Sequence, residues 1–592
     1  MASGDKITDG HQLLAGVNGS VPFFTNNRTN VVSAVNRSFR GGRNLCRPGL
    51  SQLRLSFDTD ESRVAFELGA ISGACGYRSW RGISDSQIVV CVHDRILAGT
   101  PYGGEIRFRT IKTGLTVGCL MGWFAQVNDR IYFQNDIDEP VGWDGIGFAY
   151  RPGGSTDNLP IGSAMFYGMG RLAVIAQKDY MILSDHVYGN GVSSTDGAEK
   201  FIEYQYYSDL GAIGSYAELG SPVGITSLPV MDSANGSETY LVVCPNGFWT
   251  FDPSGARADW LYSLRQRKSF EGNGCPAPYG FTIVGSDLFY QSTDGGIESY
   301  RYVQSDNSQY WGRLPISNEV ESYLSYTPPD RRRFVSMMSF DNRVVASVAI
   351  RMAPSSLGGW HRFGQGMIAL DVSRSTVSES TSGFSWDGLW TGPNPIQFVS
   401  LQGKYQRDSF VLSHDDDGVN RIYQFTDKRH DQFDGKRKNI VSFYDTPYYL
   451  TEFETNLDVY EKRVDDVKVV FGGLTADVAM AVKARVAGSP RFSELMGGRE
   501  IKIKSPGKFE MPFYSPQGGI AASGARDKNK CGGTLSGIGH QFRVGCSGDI
   551  EITKLVVRAT MGNELRGEPC GDTPCKREPA DDTDLFKYKI AT

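Results

Sequence analysis

Seven short segments share one design: an apolar run, a tight polar turn and a second apolar run. They read CVHDRILAG, QVNDRIYFQ, YGMGRLAVI, VCPNGFWTF, IVGSDLFYQ, SFDNRVVAS and YQRDSFVLS, centred on Arg95, Arg130, Arg171, Gly247, Asp287, Arg343 and Asp408. Each pattern predicts a β-hairpin. Successive centres lie 35, 41, 76, 40, 56 and 65 residues apart. The spacings near 40 match one four-stranded propeller blade; the gap of 76 reads as two blades with one degenerate turn, and the last two gaps as blades with insertions. A blade cannot bury both of its faces alone, so neighbouring blades must cover it and closure must protect the edges. The expected fold is therefore all-β: a β-propeller of about six to eight blades over residues 81–440, with an array of β-sandwiches as the rival architecture. The 70 Gly, 28 Tyr and 32 Phe, with short Val/Ile/Tyr runs between turn residues, agree with a β-rich chain.

The flanks read differently. Residues 1–80 are Asn/Arg/Gly-rich and weakly periodic, as in an N-terminal arm or platform that feeds the first blade. Longer alternating runs such as RVDDVKVVFGGL and DIEITKLVVRAT predict a C-terminal β-sandwich over 441–560. Within it, 505–537 is rich in Gly, Ser, Lys and Pro and reads as a long loop, and 561–592 as an extended tail.

Composition narrows the function classes. The formal charge of −5, from 61 Lys+Arg against 66 Asp+Glu, carries no mark of a chain that grips nucleic acid along its length. The opening MASGDKITDGHQLL lacks a secretory pattern, and no run of about 18 apolar residues occurs, so a soluble protein without a membrane-spanning segment is expected. Ten cysteines are too dilute for a disulfide framework; Cys91, Cys119 and Cys244 sit in apolar patterns as buried thiols. The pair Cys570 and Cys575 has no partner motif that would make a zinc site.

Three acidic stretches could carry chemistry. In DRIYFQNDIDEPVGWDG, residues 129–145, Asp136, Asp138, Glu139 and Asp144 crowd into nine residues beside Trp143. Their position after a strand pattern makes them a hairpin turn in preference to a metal or catalytic cluster. In SHDDDGVNR (413–421) only Asp415 and Asp417 have the alternate spacing that calcium wants, so a hairpin loop is the simpler reading. STDGGIESY (292–300) departs from the sialidase-type turn at Glu298 and Ser299, which leaves Asp287 and Asp294 as turn formers. HExxH, GxSxG and Walker-type motifs are absent, and neither an enzyme activity nor a cofactor nor a metal is expected. Two basic clusters remain as candidate DNA or subunit contacts: Arg331, Arg332 and Arg333 in PPDRRRF, and Lys436, Arg437 and Lys438 in KRKN.

The order of several segments resembles the tail nozzle or hub family of short-tailed bacteriophages, which includes packaged-DNA-stabilising and tail tubular protein B-like proteins. The segments are VVSAVNRSFRGGRNLCRPGL (31–50), DRIYFQNDIDEPVGWDG, AMFYGMGRLAVIAQKDYMILSDH (164–186), ISNEVESYLSYTPPDRRRFVSMMSFDNRVVASVAI (316–350) with GMIALDV (366–372), and RIYQFTDKRHDQFDGKRKNIVSFYDTPYYL. The resemblance spans roughly residues 30–560. It implies a structural virion protein assembled in the host cytoplasm: a homo-hexameric ring beneath the head-to-tail adaptor, contacting spike, fibre or needle proteins. Such a ring would line the channel for transiting double-stranded DNA, without sequence specificity, and help retain it. Six copies would carry a formal charge of −30, six times −5, and an acidic wall would let phosphates slide past. The alternatives are a glycan-binding or glycoside-hydrolysing propeller and a fibre-anchoring or receptor-binding tail protein.

Overall fold

Each of the seven hairpins becomes part of a different sheet, and in the computed structural model these sheets form seven propeller blades. The structure describes residues 6–564 apart from 13, 21–28, 81, 83–84, 153–158, 177, 188–195, 202–211, 216, 229–238, 253–265, 307–314, 374–383, 404–406, 450–459, 475–476, 488, 490–491, 496–498, 502–509, 515–535 and 538. The innermost strands, in chain order, are Ile71–Tyr77, Trp123–Val127, Gly162–Gly168, Gly224–Leu228, Phe281–Val284, Met337–Phe340 and Pro395–Gln402. They stand side by side around the axis, and Pro395–Gln402 returns to touch Ile71–Tyr77, so the ring closes.

The second strands explain why the pattern was so apolar. Gln87–Val92, Arg171–Ala176 and Arg343–Val348 are buried at every position, because neighbouring blades cover both faces. The wedge between the first two blades holds Val89, Cys91, Ile96, Ile131, Phe133 and Trp143. The wedge between the last blade and the first holds Ile71, Ile88, Val90, Ile396, Val399 and Phe410. Burial of this kind contributes roughly 25 cal/mol per Å² of apolar surface, which is what holds blade to blade.

The wide gap between the Arg171 and Gly247 turns has another cause than a degenerate blade. They belong to consecutive blades, the third and fourth: the first joins the first and second strands of its blade, whereas the second joins Thr239–Cys244 to Gly247–Phe251, the second and third strands. The Arg95 turn is likewise between second and third strands.

The N-terminal segment does more than feed the first blade. Gly49–Gln52 pairs antiparallel with Asn420–Thr426 as the fourth strand of the last blade. The chain then runs to Arg54–Phe57, parallel to the outer strand Glu105–Lys112 of the first blade, before Asp60–Leu68 forms a helix. Thr59 caps that helix, its Oγ1 accepting from the Ser62 N–H at 3.1 Å. One strap thus stitches last blade to first, so opening the ring requires breaking two sheets.

Ser33–Val35 lies between Ser385–Trp390, the outer strand of the sixth blade, and Val441–Asp445. Val441–Asp445 pairs on to His540–Ser547 and then Val478–Val486, so one ten-stranded sheet runs from the sixth blade into the C-terminal domain. A second sheet there contains the 15-residue strands Tyr460–Leu474 and Ile550–Glu564, each about 50 Å long, edged by Lys6–His11 on one side. The first described strand of the chain therefore pairs with the last.

Three assignments differ from expectation. The first blade begins with Ile71–Tyr77, inside the expected arm of residues 1–80. Glu510–Tyr514, inside the expected loop 505–537, is a strand antiparallel to 466–470, with Phe513 buried; most of the remaining loop lies outside the described residues. The last strand continues to Glu564, past the expected start of the tail, and Cys570 and Cys575 lie outside the described residues. Cys91 and Cys244 are buried strand thiols, whereas Cys119 is half-buried in a loop, its Sγ facing the Thr116 carbonyl at 3.3 Å. Among the described residues, no helix is long and apolar enough to cross a membrane.

Candidate functional site

The acids of 129–145 do not converge. Asp138 accepts from the Thr116 N–H at 2.8 Å, the Thr116 hydroxyl at 2.6 Å and the Asn135 amide at 2.7 Å. Burial pushes its carboxyl up, and the Thr116 and Asn135 hydrogen bonds outweigh that and leave it below the ordinary value. Asp136 instead takes a left-handed backbone, φ 64°, and burial raises its carboxyl. Glu139 meets Arg151 at 3.1 Å on the surface, and Asp144 accepts from the Ile146 and Gly147 N–H groups. Trp143 is buried, donates to the Gly147 carbonyl at 2.8 Å and lies under the Arg109 guanidinium. At 413–421, Asp415 accepts from Ser413 and Tyr423 and pairs with Arg421 at 3.1 Å; Asp417 also meets Arg421. No group of His, Cys, Asp and Glu suited to a metal occurs among the described residues.

The basic clusters lie on separate elements. Arg331, Arg332 and Arg333 sit in the 3-10 turn Pro329–Phe334 that leads into the sixth blade. Arg332 reaches back to the Thr293 carbonyl beside the fifth blade, Arg331 lies 3.8 Å from Asp330, and Arg333, exposed, folds over Phe334. Arg332 is thus a tie between blades and not a free contact. Lys436–Asn439 pairs with His430–Phe433 as an outer hairpin of the last blade; Lys436 and Arg437 are exposed, and Lys438 lies over Phe433.

Two constellations emerge that sequence reasoning missed as sites. The first is the junction built by residues 31–50. Arg47 donates to Asn36 Oδ1 at 2.9 Å, to the Pro48 and Thr391 carbonyls at 2.8 and 2.9 Å, and to both oxygens of Asp431 at 2.9 and 2.8 Å. All five of its donors are used, in a fully buried site. Asn36, at φ 56°, donates to Thr391 and to the Val441 carbonyl, joining the blade end to the sandwich. Arg37 binds Asn44 at 2.6 Å and Ser442 at 3.3 Å across the same seam. Beside it, Arg343 of the sixth blade meets Asp387 at 3.0 Å and Ser38 at 2.8 Å. Burial raises the Asp387 carboxyl, and Arg343 and the Phe39 N–H oppose the shift.

The second lies on the propeller axis. The hairpin Arg351–Pro354 and Trp360–Phe363, inserted in the sixth blade, crosses the face where the innermost strands begin. Ser355 donates to the Leu68 carbonyl at 2.8 Å, His361 stacks on His414 of the last blade at 4.0 Å, and Gly359 packs against Gly118. Arg362 reaches the Ser72 carbonyl at 2.5 Å and Met121 Sδ at 2.6 Å, with the rings of Tyr279 and Phe334 about it. It touches elements of the first, second, fifth and sixth blades, and so closes the axis at that end. Near it the ring is tight: a Cβ on Gly73 would strike the Gly122 carbonyl. Farther along, Gln397 of the last blade bonds to both the N–H and the carbonyl of Ala74 in the first, at 3.1 and 2.7 Å.

At the opposite end, the last residues of four innermost strands and their loops line a cavity of about 750 Å³, among them Arg78, Trp80, Asn128, Tyr167, Gln402 and Arg407. The Gln126 amide fixes the rim, bonding the N–H and the carbonyl of Arg78 and the Asn128 carbonyl.

No family model matches the chain, and no curated protein does. Among solved structures, the chain is similar to a structure described as YCF48 bound to D1 peptide, with 11% identity, TM-score 0.34, and coverage of 64% of this chain and 95% of that one. It is similar to the WD40 β-propeller domain of Doa1, at 10% identity and TM-score 0.33, over 64% of this chain and 97% of that one. It is also similar to BamB from Moraxella catarrhalis, at 10% identity and TM-score 0.28, over 61% of this chain and 99% of that one. The β-propeller is the fold in hand; its sheets and ring closure stand on the chain's own strand pairing.

Proposed function

We propose that this chain is a structural subunit of a phage virion, the nozzle or hub of a short tail, arranged as a six-fold ring that lines the DNA channel below the head-to-tail adaptor. The observation that supports it most is the junction. The segment VVSAVNRSFRGGRNLCRPGL, one of those on which the family resemblance rests, supplies Ser33–Val35, Asn36, Arg37 and Arg47 to the seam between sixth blade and sandwich. A continuous sheet locked by buried, fully bonded arginines makes propeller and sandwich one stiff body. Stiffness of that kind suits a wall that must hold pressurised DNA without yielding.

The same reading assigns the passage. Arg362 lies across one end of the propeller axis, so in this reading a duplex runs between subunits and not through a propeller. Lys436 and Arg437, exposed on the last blade's outer hairpin, are then contacts to a neighbouring subunit or to passing phosphates. Electron microscopy of virions, with the chain labelled by an antibody fragment, tests the placement. Six labels in a ring under the neck are expected. A label on the capsid or on fibres alone would overturn the nozzle reading, as would a purified chain that stays monomeric with its adaptor and cleaves oligosaccharides.

A further inference from the structure

The cavity at the mouth-side ends of the innermost strands has the composition of a binding site. Its volume, about 750 Å³, lies in the range of small-molecule pockets, and four blades converge on it. Two guanidinium groups line it, from Arg78 and Arg407, and no carboxylate does among the described residues. Among the described residues neither arginine has an ion-pair partner: Arg407 donates to the Ser400 hydroxyl at 3.1 Å, and Arg78 lies over the Trp80 ring at 5.6 Å. A nearby acid, Asp129, accepts from the Trp80 N–H at 2.6 Å and the Ser79 hydroxyl at 3.2 Å. Asp129 is thus engaged at the edge by these two donors, and among the described lining residues the charge is that of the two guanidinium groups, which favours anions.

The remaining lining narrows the class. Trp80 is 69% exposed, a large apolar ring left in water at the edge of a cavity. Its negative π-face suits the C–H face of a sugar ring, while Gln402, Asn128 and the Tyr167 hydroxyl offer partners for ring hydroxyls. A peptide adding as a strand fits less well, since the exposed edge of Ile71–Tyr77 is already occupied where the Gln397 amide bonds Ala74 on both sides. We propose that the mouth of the propeller is a binding site for an acidic saccharide, its carboxylate held by Arg78 and Arg407 and its ring seated against Trp80. The Gln126 bonds to the Arg78 backbone hold the loop bearing both Arg78 and Trp80 in place before the ligand arrives. This site stands whether or not the chain is a tail nozzle.

Isothermal titration of the full chain at low salt provides the test, with galacturonate, glucuronate and sialic acid as probes, galactose as the neutral control and triglutamate as the peptide control. At least one acidic sugar should bind, and bind about tenfold or more tighter than galactose. Arg78→Gln, Arg407→Gln and Trp80→Ala should each weaken it about tenfold, with the thermal unfolding midpoint unchanged because all three side chains are at least partly exposed. The proposal is overturned if none of the acidic sugars binds or galactose binds equally. It is also overturned if triglutamate binds in place of the sugars or the three variants leave affinity untouched.

Discussion

Arg47 at the junction and Arg362 on the propeller axis are both sealed from water, 1% and 2% exposed. Their surroundings could hardly differ more. Arg47 faces Asp431 through two parallel hydrogen bonds and has every donor engaged. Arg362 has no carboxylate within ion-pair reach among the described residues, its Nε has no partner, and burial pulls its guanidinium down to about 10. Removing one partner of a paired buried charge strands the other, whereas removing an unpaired one relieves a desolvation cost. The junction is therefore built to be indispensable, and the axial plug is held by packing and by one carbonyl.

The sharpest way to break that comparison is to make the same change at both places. Arg47→Met should destabilise the fold by about 3–5 kcal/mol, because Asp431 is left buried and unpaired. Arg362→Met should shift stability by less than about 1 kcal/mol in either direction, since the new thioether lies among Met121, Tyr279 and Phe334. Urea unfolding midpoints of the two variants measure the difference. Equal losses would mean that Arg362 carries a stabilising role that its contacts do not account for.

The contrast extends to acids. Asp431 has its guanidinium, but Glu319, on the short 3-10 turn Asn318–Val320, is 5% exposed with Oε1 unpartnered, and burial pushes its carboxyl up to about 8. The folded state then holds a proton that the unfolded chain releases near 4.5. Stability is complete below that value, falls as pH rises toward 8 and is flat above it, a loss on the order of 5 kcal/mol. Glu319→Gln keeps the shape and removes the titration, so its stability at pH 8 should exceed that of the parent by most of this amount and match it near pH 4. Chemical denaturation of parent and variant at the two pH values checks the sign; a variant with no advantage over the parent at pH 8 relative to pH 4 would refute the assignment.

What could be read from the chain follows from the range of each interaction. The seven hairpins are legible because each is local, and wedges between blades make both faces apolar. The strap is not, because its partners are remote: Ser33 bonds Asp445 412 residues away, and Gly49–Gln52 pairs with Asn420–Thr426 of the last blade. Lys6–His11 alternates in burial, but its residues are nearly all polar, so the covered face leaves no apolar alternation in the sequence. EMPFY reads as loop because of Pro512, yet it lies at the sheet edge, where a missing N–H is tolerated. At the candidate sites, DRRR and KRKN stand out as charge runs, but charge runs are surface features in most folds. Arg47 and Asp431 carry no local mark of their pairing, and Trp80 with Arg407 meet only because first and last blades adjoin.

The smallest effect tests the same rule inside one turn. Asp138 holds three hydrogen bonds, whereas among the described residues the Asp136 carboxylate feels only the field of Lys178, so identical Asp→Asn changes should separate. Asp138→Asn loses charge-assisted acceptance from Thr116 and places an amide where a donor already points, which costs about 1–2 kcal/mol. Because the folded pKa of Asp138 is depressed, its contribution is present above the ordinary value of 3.8 and is lost as pH falls below it, so parent and variant should converge in acid. Asp136→Asn should stay within about 0.5 kcal/mol, since asparagine takes the left-handed backbone at φ 64° readily. Urea midpoints at neutral pH and near pH 3 separate the two positions. Equal, pH-independent effects would mean that the turn is held by its backbone alone and that the Asp138 bonds to Thr116 add nothing to it.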